Sequence, residues 1–77
     1  MHEQGKTDIK KRIREWKAKC IANEMSYKEV IESADMNYNS VINALNNALK
    51  GNPVAISAKK LEKLEKAIYL LVIKRNI

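Results

Sequence analysis

At 77 residues the chain is long enough for one small domain, and its 45% hydrophobic and 31% charged residues favour a folded sequence over a disordered one. Fifteen Lys and Arg against nine Asp and Glu leave a formal charge of +6, which suits an anionic partner; the single cysteine, Cys20, excludes an internal disulfide and a cysteine-based metal cluster. The longest strongly apolar run, residues 67–73, is too short to cross a membrane and nothing at the N-terminus resembles a signal peptide, so the expectation is a cytoplasmic protein without a membrane partner.

Abundant Ala, Leu, Lys and Glu with only two glycines and one proline predict an all-α domain of four or five helices. Residues 1–6 read as a flexible basic arm ahead of a single domain over 7–77. Thr7 or Asp8 can cap a first helix, in which Ile9, Ile13, Trp16 and Cys20 recur at helical spacing. Lys10, Lys11 and Arg14 lie on its other face, and Trp16 falls on the core stripe.

A second helix is signalled by Ser26 with Glu29 three residues later, the pattern of a capping box, flanked by a Met25–Val30 hydrophobic staple. Val30, Ile31 and Ala34 form its buried side and Asp35 interrupts it. Asn37 can then cap a third helix that buries Val41, Ala44, Leu45, Ala48 and Leu49. The pair, over about 26–49, has the pattern of a helix-turn-helix. The stretch SADMNYNSVINALNNALKG carries five asparagines and no charge between Asp35 and Lys50. Asparagine is a mediocre helix former, so its repetition here means either a weakly folded segment or amides presented to a partner.

Gly51 and Pro53 end the third helix, and Ser57 caps a C-terminal helical segment over about 58–73 with Leu61, Leu64, Ile68 and Leu71 as its stripe. From residue 67 onward the chain is apolar on more than one side. That predicts a second subunit against Ile68, Leu71, Val72 and Ile73, or else a break near residue 70. There is no Gly-rich phosphate loop, zinc-ligand set or nucleophile–base pattern, and Glu62 and Glu65 sit among lysines as solvated surface. The reading is of a protein that is not an enzyme, with no cofactor, metal or small-molecule substrate.

Met25, Ser26, Tyr27, Val30, Ile31, Asp35, Met36, Asn37 and Val41 fall at the matching places of a known pattern, and residues 25–47 resemble the helix-turn-helix of the lambda-repressor and Cro-like (XRE-type) family. The likeness extends from residue 9 to about residue 71. It implies a lambda-repressor-like fold whose third helix enters the major groove. Tyr38, Asn39, Ser40 and Asn43 then take base-reading positions. Asn46, Asn47 and Tyr27 fall near the DNA backbone, with Lys10, Lys11, Arg14, Lys28 and Lys50 available to neutralise phosphates. Tyr27 stands where the family often has glutamine, Asp35 replaces the usual turn glycine, and Ala44 and Leu45 depart from the usual packing pair. The resemblance implies a bacterial or phage regulator of transcription, a repressor binding double-stranded DNA as a homodimer on a two-fold symmetric operator. The alternative is a small protein of the same fold that binds another regulatory protein through Ile42 and the apolar C-terminal turn.

Overall fold

A computed structural model describes residues 4–52 and 54–76, with side chains from Ile9 onward; Met1 to Glu3, Pro53 and Ile77 lie outside the described residues. Among them are four helices and no strand: α1 Gln4–Ala22, α2 Tyr27–Ser33, α3 Tyr38–Leu49 and α4 Ala58–Arg75. The expected arm is shorter than the sequence reading put it. Residues 4–6 are already helical, and Thr7 and Asp8 lie inside α1 instead of capping it. Elongating an existing helix adds one hydrogen bond per residue fixed, so no side-chain cap is needed for it to extend a turn upstream. Nor does the C-terminal helix break near residue 70. It runs on to Arg75 with Lys74 and Arg75 in its last turn, where positive charge complements the helix dipole.

The other three starts are capped as their sequences predict. Ser26 accepts the Glu29 N–H at 3.0 Å, Asn37 the Ser40 N–H at 3.0 Å and Ser57 the Lys60 N–H at 3.2 Å. The capping box at Ser26 is only half made, because the Glu29 carboxylate turns away to the Arg75 guanidinium.

The first three helices end in the same way. The Met25 N–H bonds the Cys20 carbonyl while the Glu24 N–H bonds that of Ile21; Met36 and Asp35 repeat the arrangement on Ile31 and Glu32, and Asn52 and Gly51 on Asn47 and Ala48. This is the Schellman motif, which places one residue in the left-handed region. Those residues are Glu24 (φ 56°), Asp35 (φ 64°) and Gly51 (φ 121°). The motif also brings together a hydrophobic pair, and Cys20 with Met25, like Ile31 with Met36, lies in or against the core.

One core joins all four helices: Ile13, Trp16 and Cys20 of α1, Val30 and Ile31 of α2, Val41, Leu45 and Ala48 of α3, and Leu61, Leu64, Ala67 and Ile68 of α4. Met25 and Ile56 complete it from the loops. Each large aliphatic side chain removed from water contributes on the order of 1.5–3 kcal/mol. Trp16 fixes α1 on α4, its indole N–H donating to the Leu64 carbonyl at 3.0 Å. A two-pronged Arg12–Glu65 pair at 2.8 and 3.0 Å spans the same helices at the edge. Both α3 and α4 pack on α1 and α2, without close approach to one another. The outward faces of α3 and α4 are therefore separate surfaces.

Candidate nucleic-acid interface

Successive residues of a helix are turned by about 100°, so the burial pattern of α3 divides it into two arcs. Val41, Leu45 and Ala48 are buried, with Tyr38, Ile42, Ala44 and Leu49 half-buried beside them. Asn39, Ser40, Asn43, Asn46, Asn47 and Lys50 are exposed and fall within roughly a 120° arc on the other side. Asn39, Asn43, Asn46 and Lys50 form one line along it, flanked by Ser40 and Asn47. Leu45 enters the core on the opposite side of the helix, clear of the amide arc. The arc presents carbonyl and amide groups and is uncharged until Lys50.

Of the four base-reading candidates, Asn39, Ser40 and Asn43 belong to this arc. Tyr38 sits at its edge, half-buried, and lines a shallow cleft of about 360 Å³ with Ile21, Met25, Ser26, Tyr27 and Lys28. Tyr27 is held there by α1: its ring lies 5.5 Å from that of Trp16, and the Lys17 ammonium stands 5.6 Å from its centroid. Tyr27 thus serves as a packing bridge between α1 and α2, whatever its hydroxyl meets.

The basic residues of α1 do not all lie on one flank. Helical phase places Lys10, Arg14 and Lys17 with Ile21, on the side of the cleft, at spacings of four, three and four residues. Lys11 points away from both the cleft and the core. Lys17 was missing from the sequence-based set of phosphate ligands, although its spacing from Lys10 and Arg14 is legible in the sequence. Lys28 joins this rim from α2, and Lys50 lies at the far end of α3.

The residues expected at a subunit contact differ in exposure. Ile68 is 5% exposed and belongs to the core, while Leu71 and Val72 are half-buried against it. Ile73 is exposed, and with it Tyr69 and Leu70. Ile42, the centre of the expected partner-binding patch, is half-buried against the core. Cys20 is a buried core residue whose thiol burial pushes up to about 11. Among the described residues no group of His, Cys, Asp and Glu gathers that could hold a metal ion, and no helix is long and apolar enough to cross a membrane.

No family model, curated protein or solved structure matches the chain.

Proposed function

We propose that the chain is a sequence-specific double-stranded DNA-binding regulator of transcription, acting as a homodimer on a two-fold symmetric operator with α3 in the major groove. The observation that carries the reading is the amide arc of α3. Asparagine in a helix interior costs up to about 0.7 kcal/mol relative to alanine, and α3 accepts it at four exposed positions. A helix face needed only for solubility is served better by Lys and Glu, as the exposed side of α4 over residues 59–66 illustrates. An asparagine side chain offers an acceptor and two donors, which match the N6 and N7 edge of adenine in the major groove.

In this reading Asn39 and Asn43 contact base edges, and Ser40 reaches a base or a phosphate. Tyr38 packs against sugar or a thymine methyl at the edge of the groove. Asn46, Asn47 and Lys50 meet the backbone further along. An uncharged reading helix needs its phosphate affinity from neighbouring elements, and Lys28 with Lys10, Arg14 and Lys17 supplies a basic rim on one side of it. Occupation of promoter DNA then represses. The left-handed Asp35 between α2 and α3 and the Asn37 cap are what this reading requires of the turn that sets α3. The alternative of a partner protein bound through Ile42 and the apolar C-terminal turn keeps only the second of these surfaces, since Ile42 is half-buried while Tyr69, Leu70 and Ile73 are exposed.

The test is selection from random duplex DNA at physiological salt, with wild type beside the Asn39→Ala, Asn43→Ala double variant. Recovery of one symmetric site by wild type, lost or altered in the variant, is the expected result. No enrichment, or the same enrichment by both proteins, overturns it.

A further inference from the structure

Three asparagines that lie outside α3 are used locally. Asn37 accepts the Ser40 N–H at 3.0 Å, Asn52 accepts the Val54 N–H at 3.2 Å, and Asn23 donates to the Lys19 carbonyl at 2.8 Å. The side-chain amides of Asn39, Asn43, Asn46 and Asn47 make no hydrogen bond among the described residues and stand exposed on α3. That helix carries no charged residue from Tyr38 to Leu49, and after Asp35 no acid follows until Glu62. Those two facts select among base pairs. Guanine presents two acceptors in the major groove and is read by arginine or lysine, and the cytosine amino group is read by glutamate or aspartate; α3 has neither kind. Only adenine sets an acceptor, N7, beside a donor, N6–H. An unengaged asparagine meets both at once, Nδ2 donating to N7 and Oδ1 accepting from N6.

We propose, resting on the DNA-binding reading, that Asn39 and Asn43 each read an adenine through both N6 and N7, and that N6-methylation of those adenines in the operator releases the protein. Base pairing uses one hydrogen of N6 and leaves the other in the groove. A methyl group takes the place of that second hydrogen, so Oδ1 of the asparagine meets carbon where it had a donor, and the contact fails. The two side chains lie one helical turn apart on the same line of α3, which suits two adenines within one half-site. Loss of such a two-point contact weakens binding roughly 5- to 140-fold for each adenine. Methylation of cytosine at C5 has no such effect at these positions, because no group on α3 reads a G·C pair.

The test runs selection with the full chain on three random duplex pools: ordinary DNA, DNA with N6-methyladenine in place of adenine, and DNA with 5-methylcytosine in place of cytosine. The ordinary and cytosine-methylated pools should yield the same A·T-containing site, and the adenine-methylated pool none. On the recovered duplex, N6-methyladenine placed at one adenine at a time should weaken wild type by that factor at two positions of each half-site. Asn43→Ala should lose the sensitivity at one of the two and Asn39→Ala at the other. Both side chains are exposed, so unchanged helical circular dichroism is expected of both variants. Recovery of the same site from the adenine-methylated pool, or of a site that cytosine methylation changes, overturns the inference and leaves the DNA reading standing. So does a methylation effect that persists unchanged in the alanine variants, since the methyl group then acts through the duplex. No site from any pool sinks the DNA reading, and this inference with it.

Discussion

The guanidinium of Arg75 reaches the Glu29 carboxylate at 3.2 and 3.3 Å, across 46 residues of sequence, and donates a further hydrogen bond to the Asn23 carbonyl at 2.8 Å. The last turn of α4 is thereby tied to the α1–α2 turn and to the first turn of α2. It diverts Glu29 from the Ser26 backbone, where a capping box would have used it. Both side chains are more than two-fifths exposed, so the ion pair itself is screened. Arg75→Ala should cost no more than about 1 kcal/mol, since Glu29 can fall back on the Ser26 N–H. Urea unfolding at low and high salt checks this: the difference between wild type and variant should shrink as salt rises. A loss several times larger would mean that the tie holds the fold together.

Two helices end on non-glycine residues at positive φ, and both should accept glycine with a gain. The left-handed conformation costs an ordinary L-residue roughly 1–2 kcal/mol, while glycine gives back part of that through the entropy of its unfolded chain. Glu24→Gly and Asp35→Gly should therefore each stabilise by about 1 kcal/mol or less, Glu24→Gly by more, because aspartate tolerates this region better than glutamate. Urea midpoints at unchanged slope measure the gain. Asp35→Gly also removes a negative charge from the turn before α3, so it should tighten DNA binding where Glu24→Gly does not.

These two turns mark the boundary of what the sequence could tell. Ser26, Asn37 and Ser57 were legible as caps because each acts on a backbone N–H three residues on, within the reach of local pattern. Asp35 was legible as a turn residue, since aspartate is one of the few side chains that enters the left-handed region. Glu24 carries no such mark, and only the hydrogen bonds of its Schellman motif reveal it. Ile56 was missed as core because it sits in a loop, outside any period. The Arg12–Glu65 and Arg75–Glu29 pairs depend on helices distant in sequence coming together. On α4 the run of apolar residues after Ala67 erases the contrast that defines a face. The stripe through Leu61, Leu64 and Ile68 points inward, which places Tyr69, Leu70 and Ile73 outside.

Cys20 should make stability sensitive to alkali. Burial raises its thiol from 9.0 to about 11 in the folded chain. A folded-state value above the unfolded one contributes stability that is complete below pH 9 and is lost as pH rises from there through about 11, because the unfolded thiol ionises first. Wild type should therefore lose more stability than Cys20→Ala between neutral pH and pH 10, a comparison that cancels the titration of lysines and tyrosines common to both. The same burial should keep the thiol unreactive toward a disulfide reagent until the chain unfolds. Rapid modification at neutral pH without denaturant would contradict it.

The flanks of α1 provide a test of the DNA reading that does not depend on any asparagine. Lys28 lines the cleft beside the start of α3, and helical phase puts Arg14 and Lys17 on the same side of α1 as Ile21, which also lines it, whereas Lys11 points the other way. If this rim meets the backbone of a duplex, Lys28→Ala and Lys17→Ala should weaken binding to all sequences alike and lower the slope of log K against log salt by about 1 each. Lys11→Ala should do neither, although it removes the same charge from the same helix. Lys17 has a second role, since its ammonium faces the Tyr27 ring, a contact worth about 0.5–1 kcal/mol at an exposed site. A structural loss there would lower the unfolding midpoint and leave the salt slope untouched; a phosphate loss does the reverse. Lys17→Arg, which keeps the charge and the ring contact, should restore both. Equal effects of Lys11→Ala and Lys28→Ala would mean that net charge alone attracts the nucleic acid, and that the chain meets it in no fixed orientation.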